Sequence, residues 1–210
     1  MLLSKTAILW YYLHPDGDIK CTFGRSKLHE SYMRPICVFG IMDNDKGRMI
    51  AMEMRKWMRG VYDVHEVLHD GSLFEYPALQ TAQALSIDSG QPVLYVHTRG
   101  AVNTYATTQP CRRMWADQFG KQWRKYFMIA QTDIPRVVCP FVDYDRETRY
   151  NGFVANTAAW RLIDLKPSKD RFDFERLWIN KPDCEVLGLL VHSDEWAIKE
   201  IRKYLLTNYA

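Results

Sequence analysis

The sequence predicts an α/β fold, one domain over residues 1–210 with a mostly parallel central sheet and helices on both faces. Three observations predict it. Strand-length apolar runs alternate with segments of helical periodicity through most of the chain. Several of those runs are apolar on both faces, as strands inside a parallel sheet are. No Pro/Gly/Ser-rich linker and no internal repeat divides the 210 residues, a length that suits one large domain.

The elements follow in order. Ala7 to Leu13 is apolar and aromatic, Pro15-Asp16-Gly17 is a turn signal, and Ile19 to Phe23 reads as a returning strand. Pro35 to Met42 is a continuous apolar run that ends in Asp43-Asn44-Asp45. Ile50, Met54, Trp57 and Met58 recur at helical spacing within Met49 to Met58, before Gly60. Val61 to Leu68 alternates and is valine-rich, which predicts a strand. Tyr76 to Ile87 reads as a helix, with Pro77 in its first turn and Gly90 after its end. Val93 to His97 is the next strand. Pro110 to Ile129 carries an apolar stripe of Trp115, Phe119, Trp123, Tyr126 and Phe127. A strand over Arg136 to Val142 follows, then helical segments over Thr157 to Ile163 and Phe172 to Ile179. A strand over Glu185 to His192 and an amphipathic helix over Trp196 to Leu206 complete the chain.

Composition narrows the function classes. The chain is 47% hydrophobic and 25% charged, which is ordinary for a globular protein. A net charge of +3 is too small to argue for nucleic acid. The basic residues Arg112, Arg113, Lys121, Arg124 and Lys125 read as the solvated face of an amphipathic helix. Cys21, Cys37, Cys111, Cys139 and Cys184 are odd in number and widely spaced, which fits neither a disulfide framework nor a zinc knuckle. The N-terminal apolar run is too short for a signal peptide or a membrane span. A cytoplasmic protein without a transmembrane segment is expected.

His65-Glu66-Val67-Leu68-His69 matches the H-E-x-x-H of zinc proteases. That chemistry needs a helix, where two imidazoles one turn apart can share a metal. The valines around it predict a strand, on which they cannot. Glycine-rich phosphate loops and a G-x-S-x-G elbow are absent from the sequence.

His97-Thr98-Arg99-Gly100 directly follows an apolar strand. An arginine fork, a hydroxyl and a glycine that permits close backbone approach suit a diphosphate. A polar turn with a solvated arginine suits the same residues, and residue type alone leaves both open. Carboxylates spaced two apart occur at Asp43/Asp45, Asp143/Asp145 and Asp173/Glu175. Asp143 and Asp145 follow a strand and are the best placed to hold a Mn²⁺ or Mg²⁺ ion against a diphosphate.

The run from Phe74 to Ile179 resembles a bacterial family of glycosyltransferase-like proteins associated with surface-polysaccharide genes. Phe74-Glu75-Tyr76-Pro77, Leu94-Tyr95-Val96-His97-Thr98-Arg99-Gly100 and Trp123-Arg124 carry the resemblance. Tyr150-Asn151-Gly152-Phe153-Val154-Ala155-Asn156 and Asp173-Phe174-Glu175-Arg176-Leu177-Trp178-Ile179 continue it in the same order. The family usually has Lys at the place of Arg99 and a Trp pair at Val154-Ala155.

The resemblance implies a GT-A-like nucleotide-diphospho-sugar transferase architecture and a nucleotide-diphosphate sugar as donor. A carbohydrate or lipid-linked hydroxyl would be the acceptor, in surface-polysaccharide synthesis. It implies donor or substrate contacts at His97, Thr98, Arg99 and Gly100, and further ones at Glu75, Asn156 and Trp178. Glu175 or Asp173 would deprotonate the acceptor. The alternative is a non-catalytic carbohydrate- or protein-binding module of the same fold, because no Asp-x-Asp follows Val96.

Overall fold

A computed structural model describes residues 8–13, 36–58, 63–69, 72–73, 75–97, 124–142, 152–168, 170–174 and 176–191. Among them, β1 (Ile8–Leu13) and β2 (Ile36–Met42) lead into helix α1 (Asp45–Met58) and strand β3 (Asp63–His69). Helix α2 (Tyr76–Ser89) and β4 (Val93–His97) follow. Residues 124–130 are helical and precede β5 (Arg136–Val142) and β6 (Gly152–Ala155). Helix α3 (Thr157–Arg161), a 3₁₀ turn (Arg171–Phe174) and β7 (Glu185–Val191) complete the series.

The strands form one seven-stranded sheet in the order β3-β2-β1-β4-β6-β5-β7. β1, β2, β3 and β4 pair in parallel, as do β5 and β7. β6 is antiparallel to both β4 and β5. The fold is therefore α/β, as expected, with one reversed strand in a sheet that is otherwise parallel. The expected strand at Ile19–Phe23, the Pro110–Trp123 part of the long helix, and the helix at Trp196–Leu206 lie outside the described residues.

Both faces of the central strands are buried, and the pleat sorts them. Val93 and Tyr95 of β4, Phe153 and Ala155 of β6, and Val137 and Cys139 of β5 join one core cluster. Ala78, Leu79 and Ala82 of α2, Ala159 and Trp160 of α3, and Phe174 and Trp178 cover that face. Leu94, Val154 and Val138 alternate with them and are equally buried. Parallel crossovers are right-handed as a rule, and β2→β3 and β3→β4 step in opposite directions, which puts α1 and α2 on opposite faces under that rule. Tyr126 and Phe127 are buried as the apolar stripe predicts, and Arg124 and Lys125 on the same helix are exposed. Desolvation, and then the nearby Cys139, push the Tyr126 phenol far above its ordinary pKa, so it stays protonated.

Helix α2 begins and ends where its signals stand. A proline occupies its first turn, and Gly90 caps it at φ +67° with its N–H donating to the Ser86 carbonyl at 2.9 Å. A Cβ at Gly90 meets nothing within 4 Å, so Gly90→Ala isolates the cost of the left-handed backbone. A loss of about 1 kcal/mol in chemical denaturation is expected.

Other expectations need correction. Helix α1 starts at Asp45 rather than Met49, because Asn44 caps it: the Gly47 N–H donates to Asn44 Oδ1 at 2.8 Å. Among the described residues of 172–179 there is no regular helix: a 3₁₀ turn reaches Phe174, and turns run from Arg176. The Asp170 N–H donates to Ser168 Oγ, Ser168 Oγ donates to Asp173, and the Asp173 N–H donates to the Asp170 carbonyl. Such local side-chain bonds compete with a helical ladder. The third helix ends at Arg161, short of Ile163. The sequence pattern does not predict strand β6.

Candidate functional site

The strand order locates the site. The chain lays β1, β2 and β3 in one direction across the sheet, then returns to place β4 on the free side of β1. The strand order therefore reverses between β1 and β4, at their carboxyl ends. In α/β sheets this reversal is where ligands bind. Tyr12 and His97 are register partners there, each within one residue of its strand's end.

Three further chain segments come to this edge. β6 runs backwards, so its first residue, Gly152, pairs with Val96 beside the end of β4. β5 lies one strand further, about 10 Å from β4 at the usual strand spacing, and Asp143 follows its last residue, Val142. Pro140 lies beyond the Val137 and Val138 pairs with β6, so its missing N–H costs no bond to that strand. The N-terminus of α2 also arrives here, since the crossover from β3 starts at the carboxyl edge.

The expected site residues separate into groups. His97 ends β4 at the reversal of strand order, and only its backbone position is described. Thr98, Arg99, Gly100, Asp143, Asp145 and Glu175 lie outside the described residues. Glu75 stands at the start of α2, 8% exposed, and accepts a hydrogen bond from the Tyr95 hydroxyl at 3.0 Å. Asp173 is exposed in the 3₁₀ turn and accepts from Ser168.

Asn156 and Trp178 belong to the scaffold. Asn156 follows Ala155, which pairs with Val93 at the amino end of β4. It is thus at the opposite edge of the sheet from His97, about 13 Å along a five-residue strand. Its Oδ1 accepts from the Ala159 N–H at 2.9 Å and the Arg136 N–H at 3.1 Å. Its Nδ2 donates to the carbonyls of Thr132 and Ile134 at 2.9 and 2.7 Å. Two donors and two acceptors are all a side-chain amide ordinarily offers, so none remains for a substrate. Trp178 is fully buried, packed edge-on against Phe153 and Trp160 at ring separations of 5.4 and 5.6 Å.

The other carboxylate pair and the histidine motif resolve simply. Asp43 pairs with Arg48, and Asp45 occupies the first turn of α1, where a carboxylate complements the helix dipole. His65 and His69 lie on β3 as expected, about 13 Å apart along the strand, too far to share a zinc ion. Among the described residues no group of three His, Cys, Asp or Glu is placed to hold a metal. No described helix is long and apolar enough to cross a membrane.

Two residues at the site escaped sequence reasoning. Tyr12 becomes visible only through its register with His97. Tyr95 reads as one more apolar-strand residue, although its hydroxyl signals that a buried partner must exist. No protein-family model matches the chain, and no curated protein matches it.

Proposed function

We propose that the chain is a GT-A-like glycosyltransferase that binds a nucleotide-diphosphate sugar at the carboxyl ends of β1 and β4 and transfers the sugar to a hydroxyl acceptor. One observation carries this reading: the reversal of strand order falls at the end of β4, where His97-Thr98-Arg99-Gly100 begins. The motif suits a diphosphate, and its first residue stands at the edge where the topology favours a ligand. A largely parallel α/β sheet whose strand order reverses beside β4 supports a ligand site at that edge.

In this reading Arg99 and Thr98 take the diphosphate, and charge developing on the leaving group is stabilised there. Asp143 and Asp145, which follow β5 one strand beyond β6, would hold Mn²⁺ or Mg²⁺, and Glu175 or Asp173 would accept the acceptor's proton. The acceptor is a carbohydrate or a lipid-linked sugar of a surface polysaccharide, and the protein works in the cytoplasm. A binding module without turnover is the second reading. It is favoured by the lack of a paired carboxylate in the segment after β4.

Thermal unfolding with UDP-, GDP-, CMP- and dTDP-sugars, with and without Mn²⁺, tests the reading. A ligand at a hundredfold excess over its Kd adds about 2.7 kcal/mol, a rise of roughly 5–10 °C for a domain of this size. Arg99→Ala is expected to weaken that binding about tenfold to a hundredfold, as for a lost charge-assisted hydrogen bond. If no nucleotide sugar stabilises the protein, the reading falls. If one binds and no sugar is transferred to any hydroxyl acceptor, the binding module stands.

A further inference from the structure

We propose that Glu75 and Tyr95 form a buried tether whose task is to position the end of β4 against the start of α2, and so to shape that edge of the sheet; this rests on the ligand site proposed above. Glu75 occupies the N-cap position of α2, where a side chain ordinarily accepts from its own helix. Here the backbone is helical, the side chain makes no capping bond, and its carboxylate accepts from Tyr95 instead, a residue twenty positions along the chain. Burying a carboxylate is costly, and forgoing the cap adds to the cost. Neither is needed to close a βαβ unit, which apolar packing from Ala78, Leu79 and Ala82 already does.

The bond's position points to its use. Tyr95 lies two residues before the last residue of β4, between Trp10 of β1 and Phe153 of β6 in register. Its ring packs on Phe153 at 5.5 Å, and Phe153 packs in turn on Trp160 and Trp178. The hydroxyl is thus presented from a fully buried ring packed in the core. Through it, the turn entering α2 is fixed to the strand that ends at the proposed site. Glu75 acts through Tyr95 on that site, as a positioning residue.

The test uses the full chain and the variants Tyr95→Phe, Glu75→Ala and Glu75→Gln. Gln keeps an oxygen that accepts from Tyr95, and Phe keeps the ring. Without ligand, amide exchange at residues 75, 76, 78 and 95–97 is expected to rise about tenfold in Tyr95→Phe and Glu75→Ala, with 185–191 unchanged and Glu75→Gln close to the parent. The Kd for whichever nucleotide sugar stabilises the parent is expected to weaken about tenfold in the first two variants and to recover in Glu75→Gln, measured where all are folded.

Unchanged Kd values beside raised exchange make the pair mere packing and overturn the proposal. Exchange raised throughout the chain overturns it too. If Glu75→Gln is as damaging as Glu75→Ala, the charge itself acts and the positioning role is wrong. A parent that binds no nucleotide sugar refutes the donor reading, and the local exchange pattern then decides the tether alone.

Discussion

Replacing Trp178 with alanine is expected to destabilise the protein by about 3–5 kcal/mol, as large aromatic truncations in a closed core do. The ring is fully buried and meets Phe153 and Trp160 edge-on. Its segment carries little regular secondary structure, with bonds such as the Ile179 N–H to the Arg176 carbonyl and the Cys184 N–H to the Lys181 carbonyl. Side-chain packing by Phe174, Trp178 and Cys184 therefore seats this segment on the sheet. Urea denaturation followed by circular dichroism measures the loss, and a cost below about 1 kcal/mol would mean that the ring is not buried. Trp178→Phe is expected to cost less. It keeps an aromatic ring and removes an indole N–H that has no hydrogen-bond partner among the described residues. Nucleotide-sugar binding by the folded Trp178→Phe protein should match the parent, since the ring lies in the core.

Asn156→Ala is expected to cost about 3 kcal/mol, combining a lost helix cap with backbone groups left unpaired. One amide here joins three elements: the first turn of α3, the first residue of β5, and the turn at Thr132 and Ile134. Asn156→Asp separates the two parts of this role. Aspartate is as good a cap as asparagine, so a pure cap would tolerate the change. In this protein it would set a carboxylate oxygen against the carbonyls of Thr132 and Ile134, and most of the loss should remain. Equal stability of Asn156→Asp and the parent would show that the two donor bonds carry nothing.

Much of the fold is legible residue by residue. The runs at Ile36–Met42, Val93–His97 and Arg136–Val142 are too apolar to lie anywhere but inside a sheet, and Asp63–His69 declares itself by its valines. Pro77 and Gly90 mark the ends of α2 because each has a backbone preference that holds regardless of neighbours. Strand β6 is not legible. Gly152–Ala155 is four residues long and becomes a strand only because β4 and β5 present open edges on either side. The Phe174–Trp178 interval imitates a helix, since two aromatics four apart fit one helical face as well as they fit an irregular segment pressed into a core.

The site divides in the same way. By itself the sequence determined that a strand ends at His97 and passes into Thr98-Arg99-Gly100, because burial preference and residue chemistry are local properties. Asn156 and Glu75 were legible as polar residues beside helix starts, with no indication of what they face. The tertiary structure decided that His97 shares an edge with Tyr12 and Gly152, that Asn156 stands at the opposite edge, and that Trp178 is enclosed. It also turned Glu75 inward onto Tyr95. The physical reason is common to all four. Which strands are neighbours depends on how distant apolar faces satisfy one another, and that choice is made by the whole sheet, not by any stretch of chain within it.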